Sequence, residues 1–202
     1  MVQGLSPLAS GFPLLVCGSG PSNNDGPPLA FRRIFTDGSF AWEAVGVGFA
    51  GSGYSVEGDP QFDRAFPLEG GKQTNNRAEL FAVIKAAEDL PQEWPLSIMS
   101  DSGYVVDGVQ RRLGLNSHFS PRNTVLAQMV PNSDLWERLL HALNNRLLRW
   151  GLFWLKGHVG VVGNERADAL ANQGRLMHPG RLGWLSIRQR GQGGGWLEWD
   201  PP

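Results

Sequence analysis

Along the chain, short apolar runs that stop on an acidic or small residue alternate with stretches whose apolar positions recur at helical spacing. That alternation predicts strands and helices mixed in one domain. Residues 30–37 read as the first strand, because β-branched and aromatic side chains favour a half-buried pleated surface, and Gly38 then permits a turn. Residues 42–50 read as a second strand whose glycines mark a bulge or a close backbone approach, and residues 62–69 as a third, placed at an edge by Pro67. An antiparallel three-strand meander follows.

Leu80, Val83, Ile84 and Ala87 then share one helical face, from a cap at Thr74 or Asn75 to Leu90, where Pro91 stops the helix. Residues 96–100 form the fourth strand, and a helix opens at Ser102 directly after Asp101. Asn132 begins a capped helix with Leu135, Leu139 and Leu143 on one face, residues 147–155 form the fifth strand, and a last helix runs from about Asn164 to Asn172. Trp150 and Trp154 read as core or sheet-face packing, since aromatic side chains dominate core burial. The fold class is therefore α/β, with a five-stranded mixed sheet, an antiparallel meander plus parallel strands, flanked by helices.

The ends differ from this body. Residues 1–29 are rich in Gly, Pro, Ser and Leu with no sustained period, a composition that cannot offset ordering entropy, so a flexible N-terminal arm is expected. Its apolar stretch Phe12–Gly18 has no basic residue before it, the first being Arg32, and reads as a soluble leader rather than a signal peptide. Residues 30–173 form the domain. Residues 174–202 make an Arg/Gly/Trp-containing C-terminal tail, in which packing on the domain or disorder outweighs stacking on single strands.

Composition narrows the function. With one cysteine, Cys17, and four histidines there is neither an internal disulfide nor a Cys/His zinc cluster, and a reducing compartment is compatible; the expected location is cytoplasmic. No apolar run reaches membrane-spanning length, so no membrane association is expected. A net charge of −1 means that any nucleic-acid contact must come from a local patch.

Four carboxylates carry the candidate chemistry. Asp37 and Asp101 end apolar strands; Glu79 falls in the first turn of a helix opening at Thr74–Asn75–Asn76–Arg77; Asp168 lies on the helix after Gly163–Asn164–Glu165–Arg166–Ala167. Converging at one sheet edge, they would offer the hard oxygen ligands that hold magnesium. Read as Thr36–Asp37–Gly38–Ser39, Thr74 to Leu80, Ser100–Asp101–Ser102–Gly103–Tyr104–Val105 and Gly157–His158 followed by Gly163 to Asp168, the sequence resembles the type 1 ribonuclease H family over residues 31–173. The order of the four motifs makes that resemblance specific.

The resemblance implies an endonuclease that hydrolyses the RNA strand of RNA–DNA hybrids, leaving a 5′-phosphate and a 3′-hydroxyl. It implies two magnesium ions, with manganese able to substitute, held by Asp37, Glu79, Asp101 and Asp168; two ions serve the attacking water and the leaving oxygen of an in-line displacement. His158 is implied as the group that assists proton transfer or product release. Ser39, Asn75 and Asn76 match contacts to the RNA strand. Lys72, Thr74 and Asn132 match a pocket for a phosphate of the DNA strand, and Tyr104 lines its path. Gly103 stands where many members carry a polar residue that touches RNA. Between Gln110 and Pro131, where some members carry a basic protruding helix, this chain offers Arg111, Arg112 and Arg122, so a weaker grip is expected. A free-standing monomer is expected. The other readings are a domain derived from a retroelement reverse transcriptase and a non-catalytic nucleic-acid-binding scaffold of the same fold.

Overall fold

A computed structural model describes residues 15–17, 31–113, 131–147 and 149–191. The rest of the N-terminal arm, Arg122 with most of the arginine-bearing segment, and the tail from residue 192 lie outside the described residues. The strands are β1 (Leu15–Cys17), β2 (Arg32–Ala44), β3 (Val47–Val56), β4 (Arg64–Pro67), β5 (Leu96–Ser100) and β6 (Trp150–Trp154). The helices are α1 (Asn75–Asp89), α2 (Gly103–Arg112), α3 (Ser133–Asn144), α4 (Val162–Leu176) and α5 (Pro179–Gly191).

They form one mixed sheet in the order β1-β6-β5-β2-β3-β4, with β2, β5 and β6 parallel to one another and the other neighbours antiparallel. The expected five strands are all present. Leu15–Cys17, placed by the sequence in a flexible arm, adds a sixth by pairing antiparallel with Leu152 to Trp150, an edge position that a three-residue run can take without a period of its own. β4 holds the opposite edge, as Pro67 requires.

Two boundaries differ from the sequence reading. No turn follows Asp37: β2 runs on through Gly38 and Ser39 to Ala44. The expected second strand, residues 42–50, straddles the hairpin between β2 and β3, because the reversal is made at Val45–Gly46, where Gly46 adopts φ 75°. Apolar residues on both sides of that tight turn hide it in a single run. The expected last helix also starts earlier and ends later than read, at Val162 and Leu176.

The sheet separates two apolar layers. On one face Ile34, Tyr54, Leu80, Ile84, Leu96, Ile98, Leu139 and Leu152 build the main core with α1, α2 and α3; on the other, Phe35, Leu155, Ala167 and Met99 pack under α4. α1 is buried nearly all round, as expected of a helix enclosed between a sheet and a second helix. Its C-terminal turn is tied to the loop that follows by Arg146, whose guanidinium donates to Ala87, Leu90, Pro91 and Trp94 O at 2.8, 3.4, 2.6 and 3.0 Å. Burial lowers Arg146 to about 10.

Both faces depend on strand positions with no side chain. A Cβ at Gly38 would stand 2.4 Å from the Glu79 N of α1, and one at Gly51 would stand 1.9 Å from the Arg175 N of α4. These glycines allow a helix backbone to lie directly on the sheet. At the end of α4 and beyond it, part of the expected tail packs on the domain: Arg175 and Arg181 both bond Glu43 Oε1, at 3.1 and 2.6 Å, and the His178 ring lies 4.9 Å from the Phe49 ring. The Arg181 hydrogen bond is the main reason that the Glu43 carboxyl titrates below its usual range.

The Gly51 approach is testable. Gly51→Ala must push α4 off the sheet and is expected to lower stability by about 1–3 kcal/mol, the usual cost of overpacking. Gly71→Ala, whose Cβ would enter open space, is expected to stay within about 0.5 kcal/mol. Urea unfolding midpoints of the two variants provide the measurement.

Candidate active site

The parallel pairing of β2 with β5 ends at Thr36–Ser100, so Asp37 and Asp101 are the next residues on adjacent strands. Asp37 is therefore mid-strand rather than at a strand end, but it occupies the point where β5 stops. Glu79 reaches the same place from α1. With Asn75 the first helical residue and Thr74 the cap, Glu79 stands in the second turn, not the first, and the Gly38 contact brings its backbone onto β2. One ligand oxygen from each of Asp37, Glu79 and Asp101 lies within 4.8 Å of the others. Asp168, on α4, is outside that close group yet near enough for its charge to raise Asp37.

The electrostatics are those of negative charge without a counter-charge. Burial first, then the Asp101 charge, push the Asp37 carboxyl up to about 7, against partial relief from the Gly38 N–H and a hydrogen bond with Glu79. Burial and the charges of Asp37 and Asp101 push Glu79 up to about 9. None of the described ion pairs involves any of the four acids. Glu79 Oε2 is buried with no hydrogen-bond partner. A buried orphan acceptor beside two like charges is the environment a divalent cation relieves, and the donor set is all oxygen, which suits a hard ion.

Neutral groups hold these acids in place. The Gly38 N–H donates to Asp37 Oδ1 at 2.7 Å, Asn75 Nδ2 to Glu79 Oε1 at 3.3 Å, and Asn164 Nδ2 to Asp101 Oδ2 at 3.1 Å. Gly157 presses on Asp101 as well: a Cβ there would be 2.3 Å from Oδ2. The indole of Trp154, half exposed at the end of β6, donates to the Asp101 carbonyl at 3.0 Å, while Trp150 is buried in the core. His158 follows Gly157 in an exposed turn with φ 53°, one residue from the wall of Asp101.

The residues matched to substrate contacts fall into two groups. Ser39 donates to Asn172 Oδ1 at 2.8 Å, beside the acids; Asn75 is spent on Glu79; Asn76 is exposed at the start of α1. Away from the acids, Arg77 makes two bonds to Asp134, 2.9 and 2.6 Å, and a third to Asn132 Oδ1 at 3.4 Å, while its backbone N–H is capped by Thr74. Tyr104 Oη accepts from Asn132 Nδ2 at 3.0 Å and from Trp136 Nε1 at 3.1 Å. Thr74, Tyr104 and Asn132 are thus brought together, and Lys72 is exposed two residues before Thr74. Asn132 is not the side-chain cap expected for α3: it sits at φ 64°, makes no capping bond, and spends its amide on Tyr104 and Arg77.

Three participants were not legible as such in the sequence. Asn172 and Arg77 are ordinary helix-surface residues until their partners are known, and Trp154 carries no signal separating its indole bond from core packing. Of the arginines expected to provide grip, Arg112 lies over the Trp136 ring, 3.8 Å from the centroid, and donates to Gly108 O, so it is largely committed to the fold.

Known proteins match at the same places. The family model described as RNase H matches residues 32–175. A ribonuclease H from Alcanivorax borkumensis is 43% identical over 114 residues, 55% of this chain and 74% of that protein. One from Pseudomonas fluorescens is 39% identical over 101 residues, 50% of this chain and 65% of its own length. Among solved structures, a foamy viral protease-reverse transcriptase in complex with dsDNA aligns with a TM-score of 0.53 at 22% identity, covering 74% of this chain and 97% of that one, a likeness of fold. With the family match covering β2 to β6, all four acids and nearly all of the helix that carries Asp168, the chain belongs to the ribonuclease H family.

Proposed function

We propose that the protein is a ribonuclease H that cuts the RNA strand of RNA–DNA hybrids endonucleolytically, using magnesium held by Asp37, Glu79, Asp101 and Asp168. The observation that carries this reading is the close cluster of Asp37, Glu79 and Asp101, the first two buried and none in a described ion pair, with Glu79 Oε2 left unpaired. Two magnesium ions, or manganese in their place, supply an activated water at one side of the phosphodiester and charge neutralisation at the leaving 3′ oxygen.

The chain's own residues do the rest. Asp37, flanked by β5 and α1, would hold the metal together with Glu79 and Asp101. Asn75, Asn164 and the Gly38 N–H each occupy one carboxylate oxygen and leave the other for a ligand. His158, exposed beside the Asp101 wall, is placed to carry a proton to or from the reacting phosphate. Ser39, Asn75 and Asn76 line the side of the acids where an RNA strand would read as different from DNA through its 2′-hydroxyls. Thr74, Asn132 and Tyr104, with the exposed Lys72 two residues before Thr74, would make a separate polar corner for a phosphate of the DNA strand. Contacts of this kind touch sugar and phosphate, so cutting is expected to depend little on sequence. The protein acts as a monomer in a reducing, cytoplasmic setting.

The experiment that tests this reading incubates the protein with a labelled RNA–DNA hybrid, duplex RNA and duplex DNA, with and without magnesium. Cleavage confined to the RNA strand of the hybrid, lost on chelation and abolished by Asp37→Asn, is the expected result; cutting of duplex DNA at a comparable rate would overturn it. His158→Ala is expected to slow turnover by about 10²–10⁴-fold without abolishing it, the usual worth of general acid–base help. A rate equal to that of the unmodified protein between pH 6 and pH 9 would remove His158 from the mechanism.

The charge cluster also predicts a dependence on pH. Asp37 and Glu79 keep their protons to about 7 and about 9 in the folded chain, against usual values of 3.8 and 4.5. The folded state therefore binds more protons than the unfolded one across that window, and stability falls as pH rises through it. In chelator, Asp37→Asn is expected to raise the thermal midpoint at pH 8, by an amount equivalent to about 2 kcal/mol, and to have little effect at pH 4. Magnesium should flatten the same slope. Thermal melts from pH 4 to pH 9, with chelator and with magnesium, measure both effects.

A further inference from the structure

Each of the four acids has one oxygen engaged by a neutral N–H, and for Asp168 the donor is Asn172. Asn172 Nδ2 donates to Asp168 Oδ1 and to the Asp168 main-chain O, both at 3.1 Å, while its own Oδ1 accepts the Ser39 hydroxyl at 2.8 Å. Asp168 and Asn172 are four residues apart on α4 and so lie on one face of it. Ser39 comes from β2, two residues beyond Asp37. The amide is thus the one described polar link from the strand bearing Asp37 to the carboxylate of Asp168.

We propose that Asn172 is a positioning residue for Asp168, committing Oδ1 of that carboxylate and leaving Oδ2 available to a divalent cation. This rests on the metal-dependent nuclease reading above. Asp168 presents only acceptors to Asn172, so the NH2 group must face Asp168, and the amide oxygen then needs a donor, which Ser39 supplies. The reverse orientation would set oxygen against a carboxylate and a carbonyl. Asp168 is also the acid with the greatest need of such a guide, being outside the close group of Asp37, Glu79 and Asp101. α4 has little freedom to compensate, because a Cβ at Gly53 would be 2.4 Å from the Ala171 N, next to Asn172. The carboxylate is therefore oriented against a fixed helix.

The test is a double-substitution cycle read on metal binding and on chemistry. Manganese binding to the full-length protein without nucleic acid is measured by calorimetry, and single-turnover cleavage of a hybrid is measured beside it. Asn172→Ala is expected to weaken manganese binding and slow the single-turnover rate by about 10-fold each, the lower end of what removing a ligand-orienting partner costs, with the hybrid concentration giving half-maximal rate unchanged. In the Asp168→Asn background the same change is expected to alter either quantity by less than about twofold, because the group it acts through is gone. Ser39→Ala should reproduce part of the loss and Ser39→Thr, which keeps the hydroxyl, should restore it.

An Asn172→Ala effect of equal size with and without the Asp168 carboxylate would overturn the proposal, as would unchanged manganese affinity in the unmodified background. If Asn172→Ala lowers the thermal midpoint, Asn172→Ser and Ser39→Ala carry the same cycle. Absence of hybrid cleavage by the unmodified protein would instead sink the nuclease reading, while the calorimetric cycle still reports whether Asn172 acts through Asp168.

Discussion

Like-charge crowding at the end of β5 is the constraint around which the molecule is arranged. Three carboxylates that can bring oxygens within 4.8 Å of one another, two of them buried, would ordinarily be paired with Lys or Arg or kept apart. Here the fold gives them neutral donors instead: a backbone N–H for Asp37 and carboxamides for Glu79 and Asp101. A cationic partner would fill the place of a metal. An amide fixes orientation without supplying a counter-charge, so burial and the neighbouring acids still push the Asp37 and Glu79 carboxyls up toward their protonated forms.

Keeping such a group together demands rigid elements close at hand. Gly38 lets α1 lie on β2 so that Glu79 reaches Asp37, and Gly51 and Gly53 let α4 lie on β3 so that Asp168 reaches the same region from the opposite face. Two helices thus press on the sheet from both sides at its least bulky strand positions, and two of the four acids come from those helices. Elsewhere the fold is held conventionally. The larger apolar layer under α1 and α3 supplies most of the burial, and Arg146 ties the end of α1 to the loop that follows it with four hydrogen bonds. The strained and charged part is small and the stabilising part large, the balance expected where electrostatic cost is tolerated for chemistry.

A second polar group lies apart from the acids. Arg77, in the first turn of α1, ties Asp134 and Asn132 at the start of α3, and Asn132 in turn ties Tyr104 of α2. Since Glu79 is two residues from Arg77, the same helix sets both the acid cluster and this corner, and the distance between them is fixed by a buried element. A double-stranded ligand gripped at the corner would therefore meet the acids at a constant offset.

The sequence by itself determined the α/β class, the five principal strands and the edge position of β4, and it named four candidate acids of which the structure brings Asp37, Glu79 and Asp101 together, because each rests on local chemistry: apolar runs of strand length, helical periodicity, a proline that cannot donate, and motifs in a specific order. It did not determine where β2 ends, since the turn at Val45–Gly46 interrupts an apolar stretch with one positive-φ glycine, or that Leu15–Cys17 would find an edge on β6. Tertiary structure alone decided that Glu79 stands in the second turn of α1, that Asn132 serves Tyr104 and Arg77 rather than its own helix, and that Asn172 stands between Ser39 and Asp168. The physical reason is common to these cases. Periodicity reports which face of an element is apolar, but which polar group meets a given amide or carboxylate depends on how closely two backbones approach, and that distance is set by glycines and register far away in the chain.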